Sequence, residues 1–166
     1  MRTHWINVLS WIMFSIYLME IRRFKSKDAE EVSCLISKTL REINTQDYPL
    51  RIIENVERNY LPSKLIEKSK YRDIFVAEES GEILGTISIE GDAVFSVFIK
   101  STYQRKGMGR KMIEYIESNA KKKGIKTLKV SSSITSFEFY KKLGYKKIKL
   151  SIHKLFGETI LMSKTI

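Results

Sequence analysis

Two glycines and four cations stand together in Tyr103-Gln104-Arg105-Lys106-Gly107-Met108-Gly109-Arg110-Lys111. A strand-like run, residues 93–100, leads into this segment, and a helix-like run, residues 108–123, leads out. Glycine lets backbone N–H groups come close to a ligand, and the first turn of a helix has four N–H groups without partners. The helix dipole adds roughly half a positive charge at that end. Residues of these types at such a junction make an anion site, and a phosphate or pyrophosphate is the natural occupant. The Gly-x-x-x-x-Gly-Lys-Ser/Thr spacing is missing, and so is the third glycine of the dinucleotide fingerprint. A tight strand-to-helix turn with solvated lysines fits the segment as well, so the rest of the chain has to decide.

A second distinctive run is Phe139-Tyr140-Lys141-Lys142-Leu143-Gly144-Tyr145. Taken as residues, it is a helix C-terminus with two lysines in the last turn and a glycine stop. Many helices end this way. What makes the pair informative is the separation of 30 residues between Gly109 and Phe139, filled by one helix and one strand.

The elements that must position these residues follow from periodicity. Ser26 is placed to cap a helix over residues 27–44, with Val32, Leu35, Ile36, Thr39, Leu40 and Ile43 on one face and Cys34 off it. Ile52, Ile53, Val56 and Tyr60 indicate a second helix, broken at Pro62-Ser63, and Leu65-Ile66 a short third. Strands over residues 73–79, 82–90 and 93–100 are joined by two short turns, Ser80-Gly81 and Gly91-Asp92, which implies an antiparallel meander. A helix follows, then a strand at residues 127–131, a helix at 136–143, and two closing strands at 146–151 and 158–163. The order β-α-α-β-β-β-α-β-α-β-β is an α/β fold with a mixed, mostly antiparallel central sheet flanked by helices.

Both motifs and this order resemble the GNAT family, the GCN5-related N-acetyltransferases, over residue 19 to the C-terminus. The first segment is similar to that family's Gln/Arg-x-x-Gly-x-Gly/Ala loop, which holds the pyrophosphate of acetyl coenzyme A. The second is similar to its Phe/Leu-Tyr-x-x-x-Gly-Phe/Tyr signature. The resemblance implies the acyl-CoA N-acyltransferase fold, with acetyl-CoA as co-substrate and an amine attacking its thioester. Such attack needs a donor for the oxyanion and a proton or hydrogen bond for the leaving thiolate.

The resemblance also assigns positions. The backbone at Val97, Phe98 and Ile99 matches the strand that polarises the carbonyl and splays from its neighbour to admit the pantetheine arm. Gln104, Arg105, Lys106, Gly107, Met108, Gly109, Arg110 and Lys111 would hold the pyrophosphate. Tyr140 matches the tyrosine that donates to the sulfur, and a phenol pKa of about 10 suits that task. A core tyrosine on an amphipathic helix is the competing reading. Ser133 replaces the asparagine that often contacts the cofactor. Residues 93–99 carry no carboxylate base. The base is left open between a water held by backbone carbonyls, Ser96 or Ser88, and a residue from the helical region such as Glu54. The alternative to an enzyme is a GNAT-fold regulatory module that binds coenzyme A without catalysis.

The net charge of +11 is localised: residues 100–154 hold 16 Lys/Arg against 3 Asp/Glu, a net of +13 around the loop. That field suits a ligand with a diphosphate and a 3′-phosphate. No aromatic-basic reader motif appears, so no nucleic acid is expected. One cysteine, Cys34, excludes an internal disulfide and favours a reducing, cytoplasmic setting. His4 and His153 are the only histidines, so no metal is expected. The expected partner is an amine acceptor, a small molecule or a protein or peptide amine, and a homodimer is compatible with the resemblance. Residues 5–19 are apolar and uncharged but short of the about 20 needed to span a bilayer, so no membrane partner is expected. Residues 19–24 look like the usual first strand of a GNAT domain, which often begins with such a methionine, so residues 1–18 read as a hydrophobic extension or a misassigned start before Met19, and residues 19–166 as a single domain.

Overall fold

A computed structural model describes residues 19–166; the expectations placed on residues 1–18 lie outside the described residues. Seven strands form one sheet: β1 (Glu20–Arg23), β2 (Asp73–Glu79), β3 (Glu82–Glu90), β4 (Ala93–Ile99), β5 (Thr127–Ser133), β6 (Lys146–His153) and β7 (Gly157–Thr165). The helices are α1 (Ala29–Ile43), α2 (Leu50–Arg58), α3 (Pro62–Lys68), α4 (Met108–Lys122) and α5 (Phe137–Lys142). The strand order is β1-β2-β3-β4-β5-β7-β6. Every neighbouring pair is antiparallel except β4 and β5, which run parallel because α4 crosses between them. The mixed sheet expected from the sequence is the sheet observed.

Side-chain alternation sends successive strand residues to two separate cores. Phe75, Leu84, Val94, Leu128 and Met162 join Met112, Ile116 and Tyr140 under α4 and α5. Val76 and Ile83 join Val32, Ile36, Ile53 and Leu65 under α1, α2 and α3. Among the described residues no helix is long and apolar enough to cross a membrane.

Two local expectations are corrected. The helix expected from residue 27 starts at Ala29, after a 3-10 turn at Ser26–Asp28. Asp28, not Ser26, secures its entry: the buried carboxylate accepts the Lys25 N–H at 2.7 Å and pairs with Arg22 at 2.7 Å. Tyr60 was expected on the second helix, but α2 ends at Arg58, and Pro62 opens α3, where its missing N–H costs nothing.

Candidate active site

The site begins where the sheet opens. β4 pairs with β5 only at Ala93↔Lys129 and Val94↔Val130, after which the strands part. On its other edge β4 stays with β3, through Phe95↔Ser88, Phe98↔Thr86 and Ile99↔Gly85, with a bulge between Thr86 and Ser88. Ser96 sits in that bulge at φ +57°, a left-handed conformation that a serine adopts at a cost. Beyond the bulge, Lys100 N–H donates to Leu84 C=O at 2.9 Å, so it faces β3. By alternation the Phe98 amide faces β3 too, while the Val97 and Ile99 amides face the gap. Of the three backbone positions expected to meet the cofactor, two are turned towards the opening and Phe98 is turned away. The Phe98 ring instead packs edge-on against Tyr60, 5.6 Å between centroids.

The gap runs directly into the basic loop. A 3-10 turn at Ser101–Tyr103 follows β4, and the chain then reverses through Gln104 to Gly107. Arg105 (φ +59°) and Gly107 (φ +85°) both take left-handed conformations, and a Cβ on Gly107 would meet nothing within 4 Å. Gly107 is therefore required by its backbone angle alone. The first intrahelical donor of α4 is Lys111 N–H, bonded to Gly107 C=O at 3.0 Å, which leaves the amides of Met108, Gly109 and Arg110 for an incoming anion. The Met108 side chain is buried, so only its backbone is offered. The side chains of Arg105, Lys106, Arg110 and Lys111 are exposed around this turn. Arg110 approaches Glu114 at 3.9 Å, and the Lys106 ammonium lies 5.3 Å from the Tyr103 ring centroid. Gln104 is not aimed outward: its Nε2 donates to Ile99 C=O at 3.1 Å and ties the loop to β4.

Gly109 has a second task besides offering its amide. A Cβ there would lie 3.1 Å from Phe139 Cζ, so its missing side chain lets α4 and α5 close on each other.

Tyr140 projects from α5 into the core, 4% exposed, with its ring edge-on to Tyr145 at 5.6 Å. Burial pushes its phenol pKa well above the ordinary value, and nearby Tyr60 adds to the rise. Tyr140 thus stays protonated and can only donate while neutral. Tyr60 comes from the opposite helical layer and receives a hydrogen bond from Ser96 Oγ at 2.9 Å. Burial raises its pKa as well, partly countered by that bond. Two tyrosines from two layers thereby come near each other, and Ser96 at the bulge links one of them to β4.

The other polar candidates are occupied. Ser133 Oγ donates to Ser136 Oγ at 2.9 Å and accepts the Ser136 N–H at 3.2 Å, holding the turn before α5. Buried Ser88 donates to Phe95 C=O at 3.3 Å. Glu90 pairs with Arg72 at 2.9 Å, and Asp92 pairs with Lys129 at 2.7 Å, so both turn carboxylates are already engaged. Glu54 is exposed on α2.

Sequence reading missed two residues here, Tyr60 and Tyr48, and it named Ser96 as a possible holder of water without its left-handed place in the bulge. Tyr48, buried after α1, donates to Glu158 C=O at 2.6 Å and accepts the Ile134 N–H at 2.9 Å. It joins the segment before α2 to the turn after β5 and to the start of β7. Asp47 reinforces this by accepting from Thr135 Oγ1 at 2.6 Å. These partners are 86 to 110 residues apart in sequence, and no local pattern announces such contacts.

Comparison with known proteins agrees with this fold. The profile of the family described as acetyltransferase (GNAT) domain matches residues 44–166. Among curated proteins the chain is similar to probable N-acetyltransferase 14 of Danio rerio, 31% identical over 83 residues, which make up 45% of this chain and 30% of that protein. The matched part is thus less than a third of that relative's length. Among solved structures, a GCN5-related N-acetyltransferase from Rhodopseudomonas palustris superposes with a TM-score of 0.84 at 18% identity, over 91% of this chain and 98% of that one. A PaiA N-acetyltransferase from Thermoplasma acidophilum, in complex with coenzyme A, gives 0.78 at 23%, over 90% and 99%. An aminoglycoside 6′-N-acetyltransferase complexed with coenzyme A gives 0.65 at 17%, over 89% and 97%. At these identities the structural likeness carries the fold.

Proposed function

The chain belongs to the GNAT acetyltransferase family, and on that premise we propose that it moves the acetyl group of acetyl-CoA to a primary amine by direct attack in a ternary complex. The observation that carries this reading is the parting of β4 from β5 immediately before the basic loop. That opening leaves the Val97 and Ile99 amides without a strand partner on one side, and a backbone donor left so needs a ligand or water. The amides of residues 108–110 and the exposed Arg105, Lys106, Arg110 and Lys111 suit a pyrophosphate at the end of the same groove. These features fit a molecule that is extended and amide-bearing at one end and polyanionic at the other, as coenzyme A is.

Acetyl-CoA, when bound, supplies an activated thioester. The chain's own part is to place and stabilise. A gap-facing amide of β4 opposes the negative charge that grows on the carbonyl oxygen, and a fixed backbone donor needs no reorganisation to do so. The amine nitrogen forms the new N–C bond as the C–S bond breaks. Tyr140 Oη–H donates to the departing sulfur, and the phenol held neutral by burial is suited to that role. The proton lost by the amine leaves through solvent on the side of Ser96 and Tyr60, since the nearby turn carboxylates, Glu90 and Asp92, are engaged elsewhere.

The test is a thiol-release screen with acetyl-CoA against small amines, polyamines and peptide amines, alongside a direct binding isotherm for acetyl-CoA. Release that depends on an added amine supports the enzyme. Tight cofactor binding with no release for any amine leaves a coenzyme A-binding module instead.

A further inference from the structure

On the α2–α3 side of the gap, Lys68 and Arg58 form no salt bridge among the described residues, while Arg72 pairs with Glu90 and Lys64 with Glu67. Lys68, in the last turn of α3, is half-buried. Its ammonium donates to Asn59 C=O and lies over the Tyr60 ring, 4.3 Å from the centroid. Among the described residues no salt bridge joins Lys68 to an acid: Glu67, its neighbour on α3, pairs with Lys64 at 2.9 Å. Arg72 is close by, stacked 3.9 Å from the Phe95 centroid, and it holds Glu90. Burial, reinforced by the charges of Arg72 and Lys64, brings the Lys68 pKa down to about 8. A half-buried ammonium in this setting has lost part of its hydration and has in return only the partial offset of the Glu67 charge, with no salt bridge of its own among the described residues.

A hollow of about 390 Å³ adjoins this cluster, between the end of α2 and the β6–β7 turn. Asn55, Arg58, Asn59, Leu155 and Phe156 line it. Arg58 donates to Asn55 Oδ1 at 2.6 Å and, among the described residues, has no acid partner either. Asn59 belongs to both places, lining the hollow while its carbonyl takes the Lys68 ammonium. From there Tyr60 and its hydrogen bond to Ser96 lead back to the opening in the sheet.

We propose that Lys68 and Arg58 form an anion subsite for the acceptor, so that the amine acetylated here belongs to a molecule that also carries a carboxylate or phosphate. This rests on the acetyl-transfer reading above. An anion at this point supplies the salt-bridge partner that Lys68 lacks among the described residues, while its attached amine is directed along Tyr60 towards β4. A polycationic amine meets Lys68, Arg58 and Arg72 instead, and the nearby acids Glu90 and Glu67 are already held by Arg72 and Lys64.

The test compares matched acceptors in the full chain with acetyl-CoA: L-leucine against L-leucinamide, and phosphoethanolamine against ethanolamine, with spermidine as the polycation. The anion-bearing member of a pair should be preferred by roughly 10-fold or more in kcat/KM, the scale of one charge-assisted contact. A preference in the first pair alone identifies a carboxylate, and in the second alone a phosphate. In Lys68→Met and Arg58→Ala the ratio within the preferred pair should fall towards one. Equal rates within both pairs, or a preference for spermidine, overturn the subsite. A second measurement needs no turnover: an NMR titration of the Lys68 side chain with and without N-acetyl-L-leucine and O-phosphoethanolamine. The Lys68 pKa should rise towards that of an ordinary lysine when the preferred anion binds. A pKa unmoved by either compound overturns the subsite. A raised pKa without acetylation of any amine keeps the subsite and rejects the acetyl-transfer reading.

Discussion

Gly109 and Phe139 are in contact: a Cβ on Gly109 would lie 3.1 Å from Phe139 Cζ and 3.2 Å from Cε2. The two motifs that stand 30 residues apart in the sequence therefore meet in space. The loop that offers amides to an anion and the helix that presents Tyr140 are fixed relative to each other by this one close approach.

Substitution at Gly109 should report on that contact. Gly109→Ala gains up to about 1 kcal/mol of helix propensity but presses on the ring. Gly109→Leu should lower stability by about 1–3 kcal/mol through overpacking. Phe139→Leu in the same chain should recover part of the loss, giving a coupling of roughly 0.5–3 kcal/mol in a double-mutant cycle followed by chemical denaturation. Additive effects would mean that the two residues do not constrain each other.

Tyr140→Phe should reduce kcat for acetyl transfer by roughly 100-fold while acetyl-CoA binding changes little, because the lost hydroxyl acts on the leaving sulfur. Since burial raises the Tyr140 pKa above its usual value, the wild-type kcat profile should show no falling limb from this group below pH about 10. Equal losses in kcat and in cofactor affinity would make Tyr140 a packing residue.

Much of this was legible in the sequence, and what escaped had physical reasons. Gly107 was read as a permissive backbone position and has φ +85°. The succession of strands along the chain was recovered because most of them show either alternation or a bounded apolar run, whereas the exchange of β7 and β6 in the sheet was not read. Gly109 was read as serving the ligand, and its close approach to Phe139 escaped that reading, because helix–helix proximity leaves no mark on a nine-residue pattern. Ser96 looks like one polar residue in an ordinary strand, yet it is left-handed, because a bulge depends on the register of β3 against β4. Tyr60 was assigned to a helix that stops two residues earlier, and its link to Ser96 spans 36 residues. Lys68 was invisible as a special group: a low pKa comes from burial and from neighbours folded against it.

The basic loop should make cofactor affinity depend on salt. Arg105→Ala and Lys111→Ala should each weaken coenzyme A binding by roughly 5–10-fold at low ionic strength, with smaller effects at high salt. Pantetheine, which lacks the phosphates, should bind the variants and the wild type alike. Calorimetric titrations at two salt concentrations decide this, and equal losses for both ligands would place these cations outside the phosphate site.

Lys68 should leave a mark on stability against pH. Its folded pKa of about 8 lies below the about 10.4 of an unfolded lysine, so between those values the unfolded chain binds the extra proton and this group's contribution to stability rises with pH. The groups set against it are Arg72, Lys64, Glu67 and the Tyr60 ring. Urea midpoints measured from pH 7.5 to 10 should therefore show an upward component that Lys68→Met removes. An identical pH profile in the variant would show that Lys68 titrates normally.

The most direct test of the central claim is the stoichiometry of a single turnover with acetyl-labelled acetyl-CoA, with and without an amine found active in the screen. Direct transfer at the β4–β5 opening predicts one acetylated amine for each coenzyme A thiol released, no label on the protein, and negligible thiol release without the amine. Thiol released without acetylated amine, or label retained covalently on the protein and chased to the amine afterwards, would contradict it.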